Sequence, residues 1–313
     1  MKLNLQTKII AIVLGVLAFF FLFLGPPLSF PKGEIVTVEA GTSLRQISKV
    51  LKEKHIIRSR FLFEVAVISL GGEKGVLASS YLFEKPINGI HVAWRLVRWQ
   101  HNLAPIKATL PEGLTVKEMA DIFAGSLTGF NKEKFLSLAN PKEGFLFPDT
   151  YLFFLDATPE VIVAQLASTF ENKIKPLQSQ IKKSSHNLNE IVTMASIIEK
   201  ESLKTDERQI VSGILWKRIR IGMPLQVDAT FLYINGKGSA DLTKDDLNID
   251  SPYNTYRNKG LPPGPINNPG LDAIIAALYP KESPYLYYLH DAKGSVHFAR
   301  TFEEHVANKR KYL

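Results

Sequence analysis

Residues 9 to 24 are apolar without interruption, and Gly25 to Phe30 continue the run through Pro26 and Pro27. No other feature constrains the chain so strongly. Crossing a bilayer takes about 20 apolar residues, and in lipid a lone segment satisfies its own backbone only as a helix. Lys2 and Lys8 precede the run, so the positive-inside rule leaves a short cytoplasmic tail and exports everything after Phe30. No A-x-A-like cleavage site follows, which favours a single uncleaved transmembrane helix over a signal peptide. The expectation is a tail and anchor over 1–30, in the cytoplasmic (inner) membrane, with an extracytoplasmic, periplasmic body.

A chain of 313 residues leaves room beyond the anchor for two folded units. There are no cysteines, which excludes disulfides, thiolate zinc sites and a cysteine nucleophile. The excess of 38 Lys and Arg over 30 Asp and Glu is spread along the chain and reads as a solvated basic surface. No nucleic-acid motif accompanies it. The seven histidines are scattered, and no Walker loop, G-x-G-x-x-G or G-x-S-x-G follows a strand. No metal, cofactor or nucleic-acid partner is expected.

The pattern of the body predicts an α+β fold in two parts. Residues 35–105 read as a small α+β domain. It opens with a strand at Ile35–Val38, a Gly41-Thr42-Ser43 turn and a helical stripe through Leu44, Ile47, Val50 and Leu51. The strand, turn and helix resemble the start of a LysM-type glycan-binding domain; a common strand–turn–helix capping arrangement is the other reading. Gly113 to Met119 repeats Gly41 to Ile47. Residues 106–313 read as a mixed α+β catalytic domain. Within it Thr158-Pro159 opens a helix, Asn187 and Glu190 form a capping-box-like pair, and Thr205 or Asp206 caps the next helix. Met223 to Tyr233 starts as loop and ends as strand. Ser251 to Gly270, rich in proline, reads as an ordered loop, and Tyr285–Leu289 pairs with Val296–Arg300. Thr301 and Glu304 then form a capping box for the last helix.

The centre of this domain is Ile191 to Ser202, IVTMASIIEKES. At about 100° per residue, Leu188, Ile191, Val192, Ala195 and Ile198 share one face, with Asn189, Thr193, Ser196 and Lys200 opposite. Glu199 falls inside the apolar stripe, and Glu201 is rotated away from it by about 160°. A carboxylate in such a stripe is either paired with a charge or holds a raised pKa. A carboxylic acid protonated near neutral pH suits glycosidic bond cleavage. For Glu199 the alternative is a buried salt bridge with Arg208 or Arg218.

ASIIEKES, then RIRIGMPLQVDATFLY, SPYNTYRNKGLPPGPINNPG and PYLYY, together with EGFLFPDTY and the single anchor, resemble the MltG (YceG-like) family of membrane-anchored endolytic murein transglycosylases. The resemblance covers nearly the whole body. It implies a lyase that cuts the β-1,4 bond between N-acetylmuramic acid and N-acetylglucosamine inside peptidoglycan strands. The products would carry 1,6-anhydro-muramic acid ends, and the role would be to terminate or trim nascent strands beside peptidoglycan synthases. It places the catalytic glutamate on Glu199, with Glu201 and Ser202 in support. Gln226, Asp228, Tyr253, Asn254, Tyr256 and Pro263 become candidates for holding sugar. A non-catalytic peptidoglycan-binding scaffold and a hydrolytic muramidase stay open beside it.

Overall fold

The computed structural model describes residues 25–313 apart from 39–40, 73–78, 99, 101–104, 128, 156 and 202–203, together with positions 6, 9, 11 and 13–15. The expected anchor lies largely outside the described residues, and so does Ser202. Among the described residues no helix is long and apolar enough to cross a membrane. The fold is mixed α+β, with helices and three two-stranded sheets among the described residues. Two compact units divide it: Met1–Ile106 with Phe154–Asp156, and Lys107–Phe153 with Ala157–Leu313.

The first unit is built on strands β1 (Glu34–Val38) and β2 (Ser79–Phe83), which pair antiparallel from Glu34 opposite Phe83 to Val38 opposite Ser79. The period-two alternation of β1 turns Val36 and Val38 inward. Helices α1 (Leu44–Glu53), α2 (Arg60–Ser69) and α3 (Gly89–Val97) start at side-chain caps from Ser43, Ser59 and Asn88. Leu51, Phe63, Val67, Val92 and Leu96 bury themselves against Tyr81 and Phe83. Each such burial is worth about 1.5–3 kcal/mol.

In the second unit, β3 (Ile106–Thr109) pairs with β4 (Thr150–Phe153). Helix α4 (Val116–Ser126) begins at the repeat seen in the sequence. Gly113 at φ +78 matches Gly41 at φ +80, and the Thr115–Glu118 capping box matches Ser43–Gln46. Next come α5 (Lys132–Ala139), α6 (Pro159–Ile174) and α7 (Gln178–Lys183), with Thr158 and Pro159 opening α6 as expected.

Helix α8 (Leu188–Glu201) lies at the centre, and every residue from Ile191 to Glu199 is buried. Around it pack α9 (Thr205–Arg220), α10 (Ala229–Asn235) and α11 (Leu271–Leu278). The Asn187–Glu190 pair caps α8 reciprocally, at 2.8 and 3.0 Å. Strands β5 (Tyr287–His290) and β6 (Val296–Ala299) form an antiparallel hairpin, and α12 (Phe302–Tyr312) ends the chain.

Three local expectations change. Residues 229–235 are a helix instead of a strand, with Phe231 buried and Gly236 closing it at φ +77. The run Thr-Phe-Leu-Tyr-Ile favours strands only where a pleated partner exists. Lys204, not Thr205 or Asp206, is the N-cap of α9; the Thr205 hydroxyl donates to Asp272 instead, at 3.0 Å. Glu304 does not close a box on Thr301 but accepts the Arg300 N–H at 2.7 Å.

The 251–270 loop is ordered by its own side chains. Ile266 N–H donates to Ser196 Oγ at 3.0 Å, and Asn267 Nδ2 donates to Ser196 O at 2.7 Å, which ties the loop to α8. Buried Asn268 Oδ1 accepts the N–H groups of Gly144 and Leu146 at 2.9 and 3.0 Å. Its Nδ2 donates to Leu114 O and Glu143 Oε1.

Candidate active site

The polar end of α8 opens into a pocket of about 150 Å³ whose walls include Lys200, Glu201, Asp228, Ala229, Leu232 and His290. Glu201 is half-buried here. The Tyr288 hydroxyl donates to its Oε2 at 2.8 Å. Burial pushes the Glu201 carboxyl up to about 7; the neighbouring Asp228 charge adds to the rise, while the Tyr288 hydrogen bond and Arg218 oppose it. Glu201 thus holds a proton close to neutrality, facing open space.

Asp228 is presented by a tense piece of backbone. Gln226 adopts φ +50, which a non-glycine residue rarely does. Thr255 holds it there, accepting the Gln226 N–H at its carbonyl and the Val227 N–H at Oγ1, both at 3.1 Å. The Tyr256 hydroxyl then donates to Asp228 Oδ1 at 2.5 Å. Buried Arg218 joins the two flanks of the pocket, donating to Leu225 O at 2.6 Å and to Leu286 O at 2.7 Å. His290 Nε2 has no hydrogen-bond partner among the described residues, and burial lowers the imidazole pKa, so the ring is neutral at pH 7.

Glu199 shows both features that the sequence offered as alternatives, a charged partner and a raised pKa. Only 7% exposed, it borders neither this pocket nor the one beside it. Arg208 Nη2 donates to its Oε1 at 2.7 Å, and the Gly270 N–H donates to its Oε2 at 2.8 Å. Burial raises its pKa, with Glu112 adding to the rise, while Gly270, Arg208 and Lys200 pull it down. Both oxygens are engaged, and Arg208 is anchored further by Asp272 at 3.1 Å. The 112–113 turn closes over this pair. A Cβ on Gly113 would sit 3.2 Å from Glu199 Cγ, and one on Gly270 would collide with the Glu112 carboxylate at 2.0 Å. The buried salt bridge with Arg208 is therefore present beside a pKa that burial raises.

Of the other sequence candidates, Asp228 meets Glu201 at the pocket, Tyr256 donates to Asp228, and Gln226 supports it through its backbone. Asn254 is fully buried, and its amide donates to Leu247 O and Ile249 O at 3.0 and 2.9 Å. Its side chain shapes the loop. Pro263 is exposed and borders neither pocket; Tyr253 packs its ring 4.8 Å from that of Tyr233. Tyr288 and His290 were missed as individual residues. Their signal was the PYLYYLH run, in which strand alternation places residues two apart on one face. A second pocket, about 270 Å³, shares Lys200, Ala229 and Leu232 with the first.

The profile of the YceG-like family matches residues 36–311. The chain belongs to that family. It is 30% identical over 306 residues to an endolytic murein transglycosylase of Bacillus subtilis, covering 89% of this chain and 84% of that relative. An endolytic murein transglycosylase of Streptococcus pneumoniae is 34% identical over 249 residues, 67% of this chain but only 45% of the relative. The crystal structure of a YceG-like protein from Listeria monocytogenes aligns with a TM-score of 0.61 at 32% identity, covering 88% of this chain and 99% of that one.

Proposed function

We propose that this YceG-like chain is an endolytic lytic transglycosylase of peptidoglycan, with Glu201 as its acid–base group. The observation that carries the assignment of Glu201 is its place on the wall of an open pocket, where burial raises its pKa to about 7. Protonated Glu201 gives its proton to the glycosidic oxygen as the C1–O bond of N-acetylmuramic acid breaks. The carboxylate so formed takes the proton of the muramic acid 6-hydroxyl as O6 closes on C1. One group serves both steps, the proton balance returns to the start, and no water is consumed. Acid–base help of this kind is worth about 10²–10⁴ in rate.

Asp228 contributes negative charge beside the developing oxocarbenium ion and raises the Glu201 pKa. Tyr288 orients the carboxyl by donating to Oε2, and the Ala229 backbone N–H adds a second hold on it. Glu199 holds α8, Arg208 and the 112–113 and 270 turns together.

The setting of this chemistry is proposed on the sequence. Lys2, Lys8 and the apolar run 9–24 support a single-pass anchor with the body outside the cytoplasmic membrane, beside the synthases that make the strands. The antiparallel β1–β2 pair, with α1 and α2 between its strands, supports a LysM-like first unit.

Mass analysis of muropeptides released from peptidoglycan tests the function. Anhydro ends are expected. Reducing muramic acid ends as the main product would make the protein a muramidase, and no release at all would leave a scaffold.

A further inference from the structure

The pocket beside Glu201 is chemically unlike the one that holds it. Its walls combine Lys117 and Lys200 with Leu232, Tyr233, Ile266 and Asn267, and it adjoins the Glu201 pocket through Lys200, Ala229 and Leu232. The two acids at its rim are already engaged. Glu118 closes the capping box on Thr115, accepting its N–H at 2.7 Å and its hydroxyl at 2.9 Å, and Asp121 is paired with Lys132. Neither Lys117 nor Lys200 forms an ion pair or hydrogen bond among the described residues, although the Lys200 charge acts on Glu199, which Arg208 already pairs. Asn267 is fully buried, and its Oδ1 accepts no hydrogen bond although its Nδ2 donates to Ser196 O. A buried amide oxygen without a donor is costly and marks a place where an N–H is missing.

We infer that this pocket is a subsite for the acidic peptide stem carried by the glycan strand. Lys117 and Lys200 would pair with a stem carboxylate, and the unpaired Asn267 Oδ1 would accept from a peptide N–H. The inference rests on the proposed cleavage of peptidoglycan at Glu201. Its consequence is selectivity. Strands that keep acidic stems are cut faster than strands stripped of them, because stem binding positions the glycosidic bond.

The test measures initial cleavage rates of the full chain on three strand preparations. One bears stems with free carboxylates, one bears stems whose carboxylates are amidated, and one is stripped of stems by an amidase. Acidic stems should raise kcat/KM about threefold or more over both other substrates, as expected for an exposed ion pair. In Lys117→Glu that ratio should fall to about one, and in Lys117→Arg it should return. Equal wild-type rates on all three strands would overturn the subsite while leaving the cleavage reading intact. A preference that survives Lys117→Glu would also overturn it. No cleavage of any strand would remove the cleavage reading and the subsite with it.

Discussion

The Tyr288 hydroxyl lies 2.8 Å from Glu201 Oε2 and donates to it, so the outer strand of the β5–β6 hairpin reaches the end of the central helix. The contact favours the ionised carboxyl, whereas the neighbouring Asp228 charge disfavours it. The two therefore act on the Glu201 pKa from opposite sides.

Activity should be level below about pH 7 and decline above it, because the first step needs Glu201 protonated. Tyr288→Phe removes a hydrogen bond to the ionised form, so the alkaline limb should move to higher pH. Asp228→Asn removes a like charge, so the limb should move to lower pH. Both variants should lose rate. A pH–rate profile of kcat/KM for the three proteins checks this, and limbs that move together, or not at all, would detach the pocket from the chemistry.

Arg208→Ala should be among the most destabilising single changes. It leaves the 7% exposed Glu199 carboxylate without its partner, a loss of about 3–5 kcal/mol for a broken buried pair. The double change Glu199→Gln with Arg208→Met should recover much of that loss, since replacing both ions removes the desolvation penalty of each. Urea unfolding of the single and double variants reads the difference, and a double variant no better than Arg208→Ala would contradict the pairing.

Most of the scaffold is legible in the sequence, whereas α8 carries two carboxylates that its pattern alone does not separate. Caps and stripes announce a helix wherever local chemistry decides, as at Thr158-Pro159 and Asn187–Glu190. Helix-face analysis assumes that one side meets solvent. In α8 both sides are buried from Ile191 to Glu199, so the stripe says nothing about which carboxylate meets a cleft. Glu199 stood out because it breaks an apolar stripe, yet a paired charge and a catalytic acid look alike at that level. The neighbours that separate them, Arg208 and Gly270 for Glu199 and Tyr288 and Asp228 for Glu201, lie 9 to 87 residues away along the chain. The strand expected at the end of Met223–Tyr233 failed for a related reason: the residue types were suitable but, among the described residues, no partner strand pairs with it.

Asn268→Ala should cost about 3 kcal/mol or more. It strands the buried N–H groups of Gly144 and Leu146, each worth about 1–3 kcal/mol when left unpaired, and takes one donor from the Glu143 carboxylate, which keeps the Val116 N–H. Glu143 is already pushed up to about 7 by burial, and loss of the Asn268 donor should raise it further. A raised acid favours folding less as pH climbs from its unfolded value near 4 toward its folded one. The Asn268→Ala deficit should therefore stay level in mild acid and grow as pH rises through about 7. Thermal unfolding across that range measures it, and a pH-independent deficit would contradict the link between the two side chains.

The most direct test compares the two glutamates of α8 by the same small change. Glu201→Gln keeps the shape but cannot deliver a proton. It should abolish the anhydro-ended products while Tm at pH 8 stays equal or rises, because an acid held near 7 no longer has to ionise in the folded state. Glu199→Gln weakens the Arg208 pair, so it should lower Tm and still release product. Released muropeptides and Tm measured together decide between them. A folded but inactive Glu199→Gln beside an active Glu201→Gln would contradict the account at its centre.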